Sequence, residues 1–179
     1  MPRKIALLFA GQGAQTVGMG LELATEFPVS ANLFREADEI LGRPLSAIAW
    51  KGPIEELTRT SNCQPALYVH GLACLAALRE AAGEFAIEAA AGLSLGEWTA
   101  HAAAGTFDFA SGLKLVEKRG ELMKAACETT SGAMAAMSGT DATPVRTPPA
   151  RTAVAISTLH SPGRVVRGGG WDDVELDVS

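Results

Sequence analysis

Apolar and polar positions fall along this chain in blocks whose periods predict strands and helices in alternation. Residues 5–10 (Ile5, Ala6, Leu7, Leu8, Phe9, Ala10) form an unbroken apolar hexamer. That pattern predicts a central parallel strand covered on both faces. Gly11, Gln12, Gly13, Ala14 and Gln15 follow as a turn. Residues 17–27 place Met19, Leu21, Leu23, Ala24 and Phe27 at roughly helical spacing, with Pro28 as the stop. A helix over 31–41 has Phe34, Ala37, Ile40 and Leu41 on one face and Gly42 as its C-cap. Residues 53–57 read as a short helical turn. Thr60 or Ser61 is expected to cap a long segment through Gln64, Ala66, Leu67, Val69, Leu72, Leu75, Leu78 and Arg79. It is apolar almost all round, which predicts a helix buried between layers. Residues 85–91 read as a strand and 95–104 as a helix closed by Gly105. Residues 108–127 form the clearest amphipathic helix. Phe109, Leu113, Val116, Leu122 and Met123 face inward, and Lys114, Glu117, Lys118, Glu121 and Lys124 face out. Strands alternating with helices predict an α/β layered domain with a parallel sheet.

After Met137 this periodicity fades. Between residues 142 and 170 there are four arginines, no acidic residue and no lysine, with Pro144, Pro148, Pro149 and Pro162. Residues 153–159 fit one strand, and the stretch from 172 to 179 is acidic. The chain has 179 residues, enough for one domain or one domain plus part of another. A net charge of −5 gives no general affinity for nucleic acid, and no apolar run reaches membrane-spanning length. The basic pair Arg3-Lys4 precedes an apolar run too short for a secretory core, which leaves a first strand as the reading. Cys63, Cys74 and Cys127 are odd in number and show no metal-ligand spacing. Reduced thiols in a cytoplasmic protein are the expectation.

The chemistry is concentrated at Gly92-Leu93-Ser94-Leu95-Gly96, where the second strand meets the next helix. Gly-x-Ser-x-Gly between strand and helix is the pattern of a nucleophile elbow, a sharp turn that lifts a serine hydroxyl clear of the backbone. Glycines two places either side let strand and helix approach closely. Ser94 would then sit where unpaired helix N–H groups favour developing negative charge. Alone, the five residues also fit a plain turn in an Ala/Gly-rich chain.

Three further motifs narrow the choice. Phe9-Ala10-Gly11-Gln12-Gly13-Ala14-Gln15 with Gly18-Met19 resembles the opening of malonyl-CoA:acyl carrier protein transacylases, which usually read Phe-Pro-Gly-Gln-Gly-Ser-Gln. Gln64-Pro65-Ala66-Leu67 resembles that family's Gln-Pro-Ala helix start, and Gly92 to Glu97 its Gly-His-Ser-Leu-Gly-Glu elbow. Lys118-Arg119-Gly120-Glu121-Leu122-Met123 is similar to its Arg-Gly-x-x-Met segment. Together they span residues 5 to about 137 in the family's order. Residues 160–166 (His160, Ser161, Pro162, Gly163, Arg164, Val165, Val166) resemble its Asn-Ser-Pro-Gly-Gln-x-Val strand edge.

The resemblance implies an α/β-hydrolase-like large subdomain, residues 1–127, and an incomplete ferredoxin-like small subdomain, residues 128–179. It implies transfer of malonyl from malonyl-CoA to the phosphopantetheine thiol of acyl carrier protein, in fatty acid synthesis, with no cofactor or metal. By the same resemblance Ser94 is the nucleophile, the backbone N–H groups of Gln12 and Leu95 form the oxyanion hole, and Arg119 holds the malonyl carboxylate. A planar guanidinium grips a carboxylate with two parallel hydrogen bonds, which selects a dicarboxylic acyl group over acetyl. Without the motif, Arg119 reads as one more solvated charge and Gln12 as a turn residue. Leu93 stands where the family has histidine. The family's general base is a histidine further downstream than this chain extends, so weak or no turnover by this chain alone is the expectation. His101 lies two helical turns past Ser94, and His70 and His160 have no motif support as bases. A polyketide-type acyltransferase, a serine esterase and a non-catalytic carrier-protein binder using Lys114, Lys118 and Lys124 remain as alternatives.

Overall fold

The fold was analysed in a computed structural model, which describes residues 3–83, 85–129, 157–161 and 164–166. Strand β1 (Arg3–Phe9) leads into a glycine-rich turn and then into helices α1 (Leu21–Glu26), α2 (Pro28–Leu41), α3 (Leu45–Lys51), α4 (Ile54–Thr58) and α5 (Thr60–Ala82). Strand β2 (Phe85–Leu93), helices α6 (Leu95–Ala103) and α7 (Phe109–Thr129) and strands β3 (Ser157–Ser161) and β4 (Arg164–Val166) complete the order. The result is the expected α/β domain. β1 and β2 pair in parallel, from Arg3 opposite Phe85 to Phe9 opposite Gly92, with one irregularity between Ile5 and Ala6. β3 runs antiparallel beside β2, and β4 antiparallel beside β3, so the sheet is mixed, in the order β1-β2-β3-β4.

The sheet order corrects the expectation for the first strand. Among the described strands β1 lies at the edge, and its side chains alternate: Leu7 and Phe9 are half-buried, whereas Leu8 is 83% exposed. Its apolar hexamer therefore does not mark a strand covered on both faces among the described residues.

Between the strands, backbone chemistry moves several expected boundaries. The helix expected over 17–27 shrinks to α1, because Gly18 (φ 96°) and Gly20 (φ 79°) hold left-handed conformations ahead of it. Pro28 begins α2 instead of ending the preceding helix. Its missing N–H costs nothing at the first helical position. Gly42 closes α2 with φ 63°, as expected of a C-cap. Helix α3, between Pro44 and Gly52, has no counterpart in the pattern reading, yet it buries Leu45 and Ala49.

Helix α5 is the buried helix that its composition predicts. Residues 62–69 are buried without a break, in a core that also takes Phe34, Leu45, Leu57, Leu95, Leu113 and Val116. The expected cap is not made: Arg59 is the N-cap residue, and no side chain caps the N–H groups of the first turn. Pro65 lies inside α5 and cannot donate to the carbonyl of Ser61 four residues back. Arg43 replaces that donor, its Nη2 reaching the Ser61 carbonyl at 2.9 Å. On α7, Leu113 and Val116 face in as expected and Gly120 is buried with them, but Leu122 is 60% exposed, about 100° around the helix from Met123. The proposed boundary at 127/128 falls within the last turn of α7, while most of the ferredoxin-like unit and residues 153–156 of the expected strand lie outside the described residues.

Candidate active site

β2 ends at Leu93 and α6 begins at Leu95, so Ser94 stands alone between strand and helix. Its backbone sits at φ 54° and ψ −100°, and it is the one residue other than glycine with positive φ among those described. An L-residue holds such a conformation only where its surroundings impose it, and strain of this kind clusters at functional sites. Contacts between backbones impose it here. A Cβ on Gly92 would fall on the carbonyl of Gly96 and 2.6 Å from the nitrogen of Glu97. A Cβ on Gly96 would meet the carbonyls of Phe9 and Ala10, and one on Gly11 would come 2.6 Å from the Leu93 oxygen. Strand, helix and the turn carrying Gln12 thus meet backbone to backbone. This brings the Gln12 turn to the elbow and puts Leu95 at the first position of α6, where a helix leaves its N–H groups unpaired.

A serine before a helix ordinarily bonds an N–H of the first turn. Ser94 makes no such bond. Its Oγ instead accepts from Nη2 of Arg119 at 2.9 Å, across from α7. Nη1 of the same guanidinium donates to Oε1 of Gln64 at 2.6 Å, and the Gln64 amide nitrogen lies 3.2 Å from the Met123 sulfur. Arg119 is therefore not a solvated charge on an outer face. Burial lowers its pKa from the ordinary value, while the Glu97 carboxylate works in the opposite direction. A guanidinium stays cationic through such a shift. The site thus holds one positive charge, half-buried, against the nucleophile.

The histidines do not join this group. His101 lies 3.9 Å from the Glu97 carboxylate and 3.3 Å from the Thr106 hydroxyl, with its ring against Phe107. His70 sits in an apolar groove of about 280 Å³ between β1 and α5, lined by Leu8, Phe9, Leu67 and Leu75 among others and by neither Ser94 nor Arg119. Burial lowers the pKa of His70, and its Nε2 is 3.6 Å from the Cys74 sulfur. His160 lies in β3 opposite Ala90. This groove is therefore not where the polar chemistry is, and the polar convergence marks the better candidate. No group of His, Cys, Asp and Glu side chains with metal-binding geometry occurs among the described residues.

Residues 6–178 match the acyl transferase domain. The chain belongs to the acyl transferase domain family. It is 41% identical over 178 residues to the malonyl CoA-acyl carrier protein transacylase of Bacillus subtilis, covering 97% of this chain and 56% of that protein. Among solved structures, the malonyl CoA-acyl carrier protein transacylase of Coxiella burnetii matches with a TM-score of 0.66 at 40% identity, over 70% of this chain and 40% of that one. A malonyl-transacylase solved in complex with a type II polyketide acyl-carrier protein matches with a TM-score of 0.65 at 44% identity, over 69% and 40% of the two chains. The chain spans about half the length of the curated relatives it matches.

In this acyl transferase domain, two of the residues singled out from sequence, Ser94 and Arg119, touch directly, and the Gln12 turn and Leu95 lie at the same elbow. Gln64 was missed as a site residue. It is fully buried in a run otherwise dominated by apolar side chains, and a polar group in such a place requires a partner. That requirement was the available signal. Gln64→Leu keeps the volume but leaves Nη1 of Arg119 unpaired, at a cost of about 1–3 kcal/mol for a half-buried charged donor. The expected result is a loss of about tenfold in Ser94 acylation by malonyl-CoA, checked by quenched intact-mass kinetics.

Proposed function

We propose that this chain carries malonyl transfer on Ser94, from malonyl-CoA to the phosphopantetheine thiol of an acyl carrier protein, as in fatty acid synthesis. The observation that supports this reading most is the 2.9 Å contact between the Arg119 guanidinium and the Ser94 hydroxyl. With a malonyl group on Oγ, the free carboxylate two carbons along folds back onto a guanidinium held this close to the hydroxyl. Oγ attacks the thioester carbon, the carbon–sulfur bond breaks, and coenzyme A leaves as the thiol. The pantetheine thiol then attacks the serine ester and returns the proton to Oγ. The oxyanion of each tetrahedral intermediate would be met by the N–H groups of Gln12 and Leu95, each donor worth about 3 kcal/mol of barrier. The thioester supplies the reactive acyl group, so no cofactor or metal is called for. His70 and His101 are both held in other contacts, and acylation relying on these residues alone is proposed to be slow.

The reading places the protein in the cytoplasm, consistent with free thiols at Cys63 and Cys74. Among the described residues no helix is long and apolar enough to cross a membrane. On α7, Lys118 is paired with Glu121 and Lys124 with Glu128, so an acidic carrier docking there would compete with those carboxylates for two of the three lysines. The relative solved with a polyketide carrier favours a second reading, in which the acceptor belongs to polyketide synthesis. Rates of malonyl transfer to a fatty-acid carrier protein and to a polyketide carrier protein, measured side by side, separate the two.

The test is acylation of Ser94, followed by intact mass, with malonyl-CoA and acetyl-CoA in parallel. Arg119→Ala is expected to slow malonyl transfer by roughly 10- to 100-fold, the effect of removing charge-assisted hydrogen bonds worth about 1.5–3 kcal/mol. The preference for malonyl over acetyl should vanish with it. Equal rates of acetyl and malonyl labelling in the wild-type chain would overturn the reading.

A further inference from the structure

The turn between β1 and α1 contains a contact that the reading above does not use. We infer that Gln15 is a positioning residue, which locks the peptide planes around Gln12 against the elbow. The inference rests on the proposed role of the Gln12 amide.

Gln12 lies between Gly11 and Gly13, and Gly13 has φ 112°. A peptide flanked by glycines rotates with little steric resistance, so its N–H and C=O can exchange places. A hole that binds an oxyanion fails if a carbonyl turns into it, because preplaced donors are what lower the barrier. The backbone gives this turn one closing bond, a long one of 3.4 Å from the Ala14 N–H to the Gly11 carbonyl.

The Gln15 side chain supplies the rest. It folds back so that Oε1 accepts the Gly13 N–H at 2.7 Å, and that N–H belongs to the peptide that begins at Gln12. The same oxygen accepts the Cys63 thiol of α5 at 3.1 Å, and Nε2 lies 3.5 Å from the Thr58 hydroxyl at the end of α4. One amide therefore ties the turn to two helices. Cys63 is fully buried, and burial pushes its thiol up to about 11, partly offset by the Gly13 backbone. At neutral pH it is an S–H that donates to Gln15, never a thiolate that would repel it.

The test uses the full chain and an alkyl fluorophosphonate. This probe forms a phosphorus–oxygen bond to Ser94, expels fluoride and sets a phosphonyl oxygen where the oxyanion would lie. Gln15→Ala is expected to lower the maximal phosphonylation rate by about 10- to 100-fold while half-saturation and the thermal midpoint stay near wild type. Cys63→Ser, which keeps a donor to Oε1, should retain the rate, and Cys63→Ala should lose several-fold. The proposal is overturned if wild-type Ser94 reacts no faster than Gln15→Ala, or if rate, half-saturation and thermal midpoint all decline together. Failure of the malonyl reading shows separately, as a wild-type Ser94 that takes the phosphonate but no malonyl from malonyl-CoA.

Discussion

Ser94→Ala is expected to abolish covalent labelling by malonyl-CoA while leaving the fold intact. No nearby group inherits the acyl chain. The Cys63 thiol is fully buried and held protonated, and the other residues meeting at the elbow contribute backbone rather than nucleophiles. Removing a covalent nucleophile typically costs turnover by several orders of magnitude, leaving only what binding and oxyanion donors supply. Alanine at φ 54° bears the same left-handed strain as serine, and Ser94 forms no capping bond that alanine would lose. Nη2 of Arg119 does lose its acceptor, at a cost of about 1–3 kcal/mol, so the melting temperature should fall by roughly 2–12 °C while the fold is kept. A labelled Ser94→Ala protein, read by peptide mapping, would place the acyl group elsewhere and remove the central assignment.

Gly92→Ala has its effect through the fold. The added methyl would coincide with the carbonyl of Gly96, so the first turn of α6 must move away from β2. Overpacking against side chains commonly costs about 1–3 kcal/mol. Here the obstacle is backbone, which cannot rotate aside, so the upper end of that range or beyond is expected. Against a total stability of about 5–15 kcal/mol this is a large share. Thermal unfolding should shift down by roughly 6–12 °C for a loss of about 3 kcal/mol. Acylation should fall as well, because the displaced helix takes the Leu95 N–H with it. A Gly92→Ala protein that melts and reacts like wild type would mean that the interlock is looser than the contacts imply.

Much of this site was legible in the sequence, for a local reason. Gly92, Ser94 and Gly96 are recognisable by their spacing within one turn, although Gly96 also packs on the distant carbonyls of Phe9 and Ala10, and Gly42 closes α2 through its own φ. The family motifs then linked Ser94 to Arg119. Hidden were contacts fixed only by the tertiary fold. Gln64 meets Arg119 across 55 positions of sequence, and Gln15 meets Cys63 across 48. Short elements were hidden as well, because α3 spans seven residues and offers too few positions to establish a period. The environment of β1 was misread because an apolar run records what a strand is able to bury, whereas its place in the sheet decides what it does bury.

That position carries its own consequence. On its side away from β2, β1 presents a row of backbone donors and acceptors that no described strand occupies, with Leu8 standing out beside them. Such a border is a template for any extended chain, whether a neighbouring segment of polypeptide or another molecule of the same kind. A strand added there would lengthen the sheet on the far side of β1 from β2, at a distance in the sheet order from the β2–α6 turn that holds Ser94.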